Sequence, residues 1–280
     1  MTGPTSLHPD KAEAIQQWDN DPCGSVGEPK PDDPTYWQRV ERNRYESYAP
    51  WMREALGFDR YPGKRVLEVG FGLGTDLMQF ARAGSQVFGI DITPRHVELA
   101  SRRFRAFGIP AFLIRGDAEQ LPYRAGAFDA VYSFGALHHT PDISAAIREI
   151  HRVLQPGGTL TLVTYHRWSL HFLYNTLWYR GLREGGLFRE DWRTFLSRIE
   201  TRDPSNTSRP RVDLFSRRQL RRHCRMFRHL TLMTRHIGLD VHPPRVSDGY
   251  VKRLVKRVYF GAKDRLEWRF GWYLIAGAIK

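Results

Sequence analysis

Residues 65–75 read Arg65-Val66-Leu67-Glu68-Val69-Gly70-Phe71-Gly72-Leu73-Gly74-Thr75. An apolar run, 65–70, reads as a strand; its carboxylate is followed by three glycines at alternate positions. Glycines let a backbone turn tightly and approach a ligand where a Cβ would stand in the way. A helical pattern follows from Thr75 to about Ala83. A dinucleotide fingerprint needs G-x-G-x-x-G. Counted from Gly70 the third glycine position holds Thr75, and counted from Gly72 it holds Leu77. The pattern is therefore E-x-G-x-G-x-G, a strand, glycine loop and helix without dinucleotide spacing.

The alternation continues along the chain. Apolar runs at 86–91, 111–116, 128–134 and 159–165 read as strands. Between them lie helical patterns, one opening at Thr93-Pro94, an N-cap followed by proline at the first helical position. Another runs from about Asp142 to Leu154 and is stopped by Gln155-Pro156-Gly157-Gly158. Strands alternating with helices predict an α/β fold: a Rossmann-like, doubly wound, mostly parallel sheet with helices on both faces.

In such sheets ligands bind outside the carboxyl ends of the strands. Strand two ends on Asp91, placed to accept hydrogen bonds from both hydroxyls of a ribose. After strand three the chain reads Arg115-Gly116-Asp117-Ala118-Glu119-Gln120-Leu121-Pro122. Asp117 is placed to accept from an exocyclic adenine amine, and the Ala118 N–H to reach a ring nitrogen. Glycine loop, ribose acid and adenine acid, one βα unit apart, specify a nucleoside ligand.

These residues resemble the class I S-adenosylmethionine-dependent methyltransferases, in the type 11 branch. The matching stretches are VLEVGFGLGT, GID, GDAEQLPY, FDAVYSFGALHH and LQPGG, in that order, and they cover about residues 61–165. The resemblance implies a seven-stranded sheet whose last strand is antiparallel, with the runs after residue 228 as strands six and seven. It also implies S-adenosylmethionine as cofactor. The Gly70 and Gly72 backbone would contact the methionine moiety, Asp91 would hold the ribose, and Asp117 with Ala118 would read the adenine. The candidate cofactor-binding set is Glu68, Gly70, Gly72, Gly74, Thr75, Asp91, Ile92, Asp117, Ala118 and Ser133, with Glu68 a candidate for orienting the loop.

Methyl transfer from a sulfonium is an in-line displacement with an activated leaving group, so alignment supplies most of the catalysis. A base is needed only where the acceptor must lose a proton. His138 and His139 after strand four, and His166 after strand five, are the candidates, any one of them as base; Tyr165 stands beside them. Enzymes of this class that methylate base amines carry an acid or amide followed by Pro-Pro-aromatic after strand four. This chain has Ser133-Phe134-Gly135-Ala136 there, and its one Pro-Cys, Pro22-Cys23, is out of register for a cytosine-C5 nucleophile. A nucleic-acid acceptor is thus disfavoured against a small-molecule or lipid-linked one. A binding protein that keeps the nucleoside site without catalysis is the remaining alternative.

Composition separates two halves. The chain has 280 residues and a net charge of +13. Residues 1–165 carry 18 basic and 20 acidic side chains, and residues 166–280 carry 25 and 10. The core is therefore slightly acidic at −2, and the remainder is +15. This half holds the run Arg217, Arg218, Arg221, Arg222, Arg225 and Arg228, and a second basic stretch at 246–270 that reads as a helix. An anionic acceptor, or a peripheral anionic membrane surface, is the partner this charge suggests. The expected organisation is an N-terminal arm and helix (1–60), a cofactor-binding core (61–165), a helical lid insertion (166–215) and a basic part completing the sheet (216–280). Pro, Gly and Asp dominate residues 1–36, with a loop at 21–34 and a helical stripe from Tyr36. Cys23 and Cys224 form no metal-type spacing, so no metal site is expected. With no signal peptide and no apolar run near the roughly 20 residues that span a bilayer, a cytoplasmic protein, peripheral at most to the inner membrane face, is expected.

Overall fold

The computed structural model describes residues 7–201, 207–237 and 265–280. The central strands are β1 (Arg65–Val69), β2 (Gln86–Asp91), β3 (Phe112–Arg115), β4 (Phe128–Phe134) and β5 (Leu154–His166), all parallel. They alternate with α4 (Thr75–Arg82), α5 (Pro94–Ala106) and α6 (Ile143–Val153). After β5 come a two-residue β6 (Leu214–Phe215), β7 (Arg228–Arg235) and β8 (Tyr273–Ile279). The sheet has eight strands in the order β3-β2-β1-β4-β5-β8-β7, with β6 paired to β5. β8 is antiparallel to both β5 and β7. The doubly wound expectation holds, and the eighth strand is the short β6.

Central strands are buried on both sides because alternate residues feed two cores. Val66 and Tyr132 face α4 and α5, meeting Leu77, Met78, Ala100 and Phe104. Leu67 and Val131 face α6, meeting Ile147, Ile150 and Val153. The connections lead outward in opposite directions from the parallel neighbours β1 and β4, so the carboxyl ends of these two strands frame the crevice where ligands bind in open α/β sheets. Gly70 stands at that point. Its φ is +75°, and a Cβ there would lie 2.2 Å from the Cβ of Ala136.

The N-terminal part departs from expectation. Residues Pro9–Asn20 form a helix, α1, in a part of the arm to which the sequence pattern assigned no element. α2 (Pro34–Arg42) starts two residues before Tyr36, capped by Asp33, and runs into a π-helical turn, Asn43–Tyr48, and then α3 (Met52–Leu56). Beyond β5 lie a π-helical segment His171–Arg183, α7 (Gly186–Arg189) and α8 (Trp192–Ser197). Ser216 caps α9 (Arg217–His223) with a full capping box to Gln219; this helix ends four residues earlier than the Phe227 its pattern suggested. The basic stretch 246–270 lies mostly outside the described residues; 265–270 are helical.

Candidate active site

At the switch point a cleft of about 190 Å³ is lined from β1, β2, β4 and the loops after β2, β3 and β4, and is roofed by α1. Of the expected cofactor residues, Glu68, Gly70, Gly72, Thr75, Asp91, Ile92, Asp117 and Ala118 line it. Gly74 and Ser133 are not among the lining residues. Gly74 ends the loop at φ +66°, where a Cβ would press on Phe104 and Ala100, so its role is close packing of loop on α5. The Ser133 hydroxyl, fully buried in the sheet, donates to the Val69 carbonyl at 2.8 Å.

Asp91 does more than end a strand. Its Oδ2 accepts the Gly72 N–H and its Oδ1 the Thr93 N–H, both at 2.9 Å. The carboxylate therefore ties the glycine loop to β2; the Thr93 side chain makes no capping bond, and the Arg95 N–H in the first turn of α5 is accepted instead by Asp19 at 3.0 Å. His96 Nδ1 approaches Oδ1 at 3.2 Å, while His96 Nε2 accepts the Cys23 N–H at 3.3 Å. An acceptor at Nε2 leaves the proton on Nδ1, so His96 donates to Asp91. Burial pushes the Asp91 carboxyl up, but His96 and the two backbone donors outweigh it and hold the group below the usual range. Three of its roughly four lone-pair sites are used, which leaves capacity for a ribose hydroxyl.

Glu68 is buried, and its Oε2 has no hydrogen-bond partner. Desolvation, reinforced by the nearby Asp76, raises its pKa well above the ordinary value. Asp76 is ionised by contrast: Arg44 grips both its oxygens (2.9 and 2.5 Å), and the Tyr45 and Tyr132 hydroxyls donate to it. These interactions outweigh the desolvation that would raise its pKa. The π-helical turn brings Arg44 under the loop, where its guanidinium also lies 4.4 Å from the Phe134 ring centroid. Arg103, fully buried on α5, donates to the Thr75 hydroxyl at 2.7 Å, so that side chain fixes the start of α4.

Asp117, the acid expected to read adenine, has a partner that the sequence did not suggest. Lys11 of α1 donates to Asp117 Oδ2 and to Glu119 Oε2, each at 2.6 Å. Desolvation opposes its charge, and the two carboxylates more than restore it, so the Lys11 pKa is raised. The same helix also meets the chain beyond β5: Asp10, next to Lys11, pairs with Arg193 and Arg211, and further along Ser208 donates to Gln17.

At the far end of the cleft, two of the three expected histidines meet a third group. His138 Nε2 and His139 Nε2 lie 3.7 and 3.9 Å from Glu200 Oε1. His139 Nδ1 is 2.6 Å from the Arg211 carbonyl, which can only accept, so Nδ1 carries the proton and Nε2 is a bare acceptor. Trp18 packs edge-on to the His139 ring at 5.6 Å. Burial, with His139 adding to it, lowers the His138 pKa to about 4, whereas the neighbouring His138, His139 and Tyr165 hold the Glu200 carboxyl below the usual range despite its desolvation. His166 is elsewhere. It is buried against the Gly271 carbonyl at 3.2 Å and does not line the cleft. Glu200 was missed because nothing in its local sequence marks it; only the fold brings it to the histidines. The three side chains place one ligand atom each within 4.8 Å of one another, a donor set suited to a proton relay or a divalent metal.

Residues 67–162 match the family described as Methyltransferase domain. This core belongs to the class I S-adenosylmethionine-dependent methyltransferases, type 11 branch. The methyltransferase core is 36% identical over 119 residues to the demethylmenaquinone methyltransferase of Thermus thermophilus, covering 41% of this chain and 54% of that protein. It is 30% identical over 162 residues to the ubiquinone biosynthesis O-methyltransferase of Methylocella silvestris, covering 57% and 59%. The chain thus spans less than two thirds of the curated relatives it matches. The fold is shared with a solved SAM-dependent methyltransferase of Methanosarcina mazei, at TM-score 0.52 and 19% identity over 80% of this chain and 96% of that one. The family's cofactor suits the cleft, where the orphaned Glu68 Oε2 offers an acceptor to a cationic amine and the glycine loop admits close backbone approach.

Proposed function

We propose that the protein transfers a methyl group from S-adenosylmethionine to a small aromatic acceptor, at a hydroxyl that loses its proton to His139. When bound, S-adenosylmethionine would supply an electrophilic methyl group on a sulfonium, to be taken up by the acceptor oxygen as the neutral thioether leaves. Asp91, Asp117 and the Ala118 N–H hold the nucleoside end, and Gly70 and Gly72 allow the methionine end to lie against β1. Trp18, Tyr48, Phe134 and Tyr165 line the other end and suit a flat aromatic ring. His139 takes the proton at Nε2, with Nδ1–H held on the Arg211 carbonyl. Glu200 stabilises the imidazolium that forms, and His138 stays neutral and packs the site.

The carrying observation is the single cleft in which nucleoside-reading acids and the His139–Glu200 pair face one another. The two relatives named for quinone methylation favour an aromatic acceptor. The lipid-linked or anionic character of that acceptor belongs to the same reading and rests on the +15 charge after residue 165. The depth of the pair, with both side chains largely buried, speaks against a base within a nucleic acid duplex. Incubation with methyl-labelled cofactor and a lysate separated into lipid, nucleic-acid and small-molecule fractions tests it. Label should enter the lipid or small-molecule fraction and be lost with His139→Gln; label in nucleic acid would overturn the acceptor class.

A further inference from the structure

Several buried polar atoms meet at the far end of the cleft without a hydrogen-bond partner: both ring nitrogens of His138, Nε2 of His139 and Oε1 of Glu200. Leu137–His139 form a 3-10 turn, which sets the two consecutive rings side by side with centroids 4.1 Å apart. Glu200, just beyond α8, aims its carboxylate at both. The Nε2 to Oε1 separations of 3.7 and 3.9 Å exceed hydrogen-bond length. All three side chains are at most 10% exposed, and among the described residues no Lys or Arg pairs with Glu200. Buried charges are paired or hold a metal, and a buried polar group without a partner calls for a cause. Proton transfer at His139 accounts for one of these atoms and leaves His138 unused.

The donor set selects the ion. Two imidazoles and a carboxylate are the protein ligands of one class of zinc centre, whereas magnesium and calcium take oxygen ligands and water. Around a tetrahedral zinc, bonds of about 2.0–2.1 Å hold such ligand atoms about 3.3–3.5 Å apart. Here each side chain places one ligand atom within 4.8 Å of the other two, so a modest closure seats an ion. A ligating histidine usually gives its other ring N–H to a carbonyl or carboxylate, which fixes the ring and leaves the second nitrogen for the metal. His139 has that arrangement, with Nδ1 at 2.6 Å from the Arg211 carbonyl. Neutral rings and one carboxylate also leave a net negative charge for a cation to balance. His139 and Glu200 line the cleft with Trp18 and Tyr165, so the remaining coordination position opens where an acceptor would sit.

We propose that His138, His139 and Glu200 form a site for a divalent transition cation of the zinc type, which takes the Nε2 lone pair of His139 and so switches the base off. This rests on the reading of His139 as the base, because one lone pair cannot hold both a metal and a proton. The test is titration of the full chain, first dialysed against a chelator, with cobalt(II) by absorption and with zinc by calorimetry. Cobalt should give the intense visible bands of a four-coordinate site, and zinc should displace it. His139→Gln and Glu200→Gln should each abolish the bands and weaken zinc at least about tenfold, the loss that follows even from removing an outer partner of a metal ligand. Calorimetry with S-adenosylmethionine on the same variants verifies that the core is intact. Saturating zinc should cut label transfer from the methyl-labelled cofactor to the lysate fractions at least about tenfold, in line with the contribution of a general base, and chelator should restore it. The bands report the site whether or not label moves, so the two readings fail separately: bands without transfer by the metal-free chain would overturn the base reading and the switch with it. Equal bands in parent and variants, or transfer that zinc leaves unchanged or raises, would overturn the metal proposal alone.

Discussion

Glu200 Oε1 lies 3.9 Å from Nε2 of His139, whose other ring nitrogen is committed to the Arg211 carbonyl. The carboxylate therefore faces the one atom of the imidazole that can accept a proton. His139→Gln should lower kcat roughly 10²–10³-fold, the usual contribution of a general base, with affinity for S-adenosylmethionine unchanged. Glu200→Gln should lower kcat less and shift the acidic limb of the pH–rate profile downward, because the imidazolium loses its counter-charge. An unshifted limb in the Glu200 variant counts against the pairing. Prolonged dialysis against a chelator should leave the rate unchanged, and activity lost there and restored by zinc would make the cluster a metal site instead.

His138 and His166 make stability pH-dependent in one direction. Both are lowered to about 4 by burial, from an ordinary value of 6.5. Between those limits the unfolded chain binds protons that the folded chain refuses, so stability rises with pH across the window and is lost as pH falls from 6.5 toward 4. A shift of this size corresponds to about 3 kcal/mol per histidine as an order of magnitude. His166→Gln, which is remote from the cleft, should flatten the slope of urea-unfolding free energy against pH in that window. An unchanged slope would mean His166 is protonated inside the fold.

Lys11 is the only side chain of α1 seen to grip both Asp117 and Glu119. Lys11→Met should loosen the roof over the cofactor, raising its dissociation rate about tenfold, in line with the loss of a charged hydrogen bond, and speeding hydrogen exchange in α1. Unchanged exchange in 9–20 would show that Asp10, through its pairs to Arg193 and Arg211, holds the helix without it.

Gly70→Ala introduces a Cβ at 2.2 Å from another carbon and at φ +75°. Overpacking and strain together should cost about 2–4 kcal/mol, seen as a Tm lowered by roughly 5–10 °C. A Tm within a degree of the parent would show that the loop relaxes.

The sheet was legible because its strands carry apolar runs that only burial explains, and because the glycines and acids fall where turns and hydrogen bonds require them. α1 was not. Its buried face is Asp10, Ala14 and Gln17, so hydrophobic periodicity has nothing to register, and the helix is held by ion pairs to residues nearly two hundred positions away. Glu200 was hidden for the same reason: its partner histidines are sixty residues distant, and the sequence after β5 that leads to it has no regular pattern. Ser133 and His166 lie at or beside strand ends, as expected for ligand-facing positions, but strand alternation turns the first into the sheet and the second toward Gly271.

Titration of the full chain with S-adenosylmethionine by calorimetry tests the central claim most directly. The parent should bind at roughly micromolar Kd, and Asp91→Asn, with folding verified by its melt, should bind at least about thirtyfold more weakly as a carboxylate hydrogen bond is lost. Absence of heat with S-adenosylmethionine, or equal binding of NAD, would contradict the assignment.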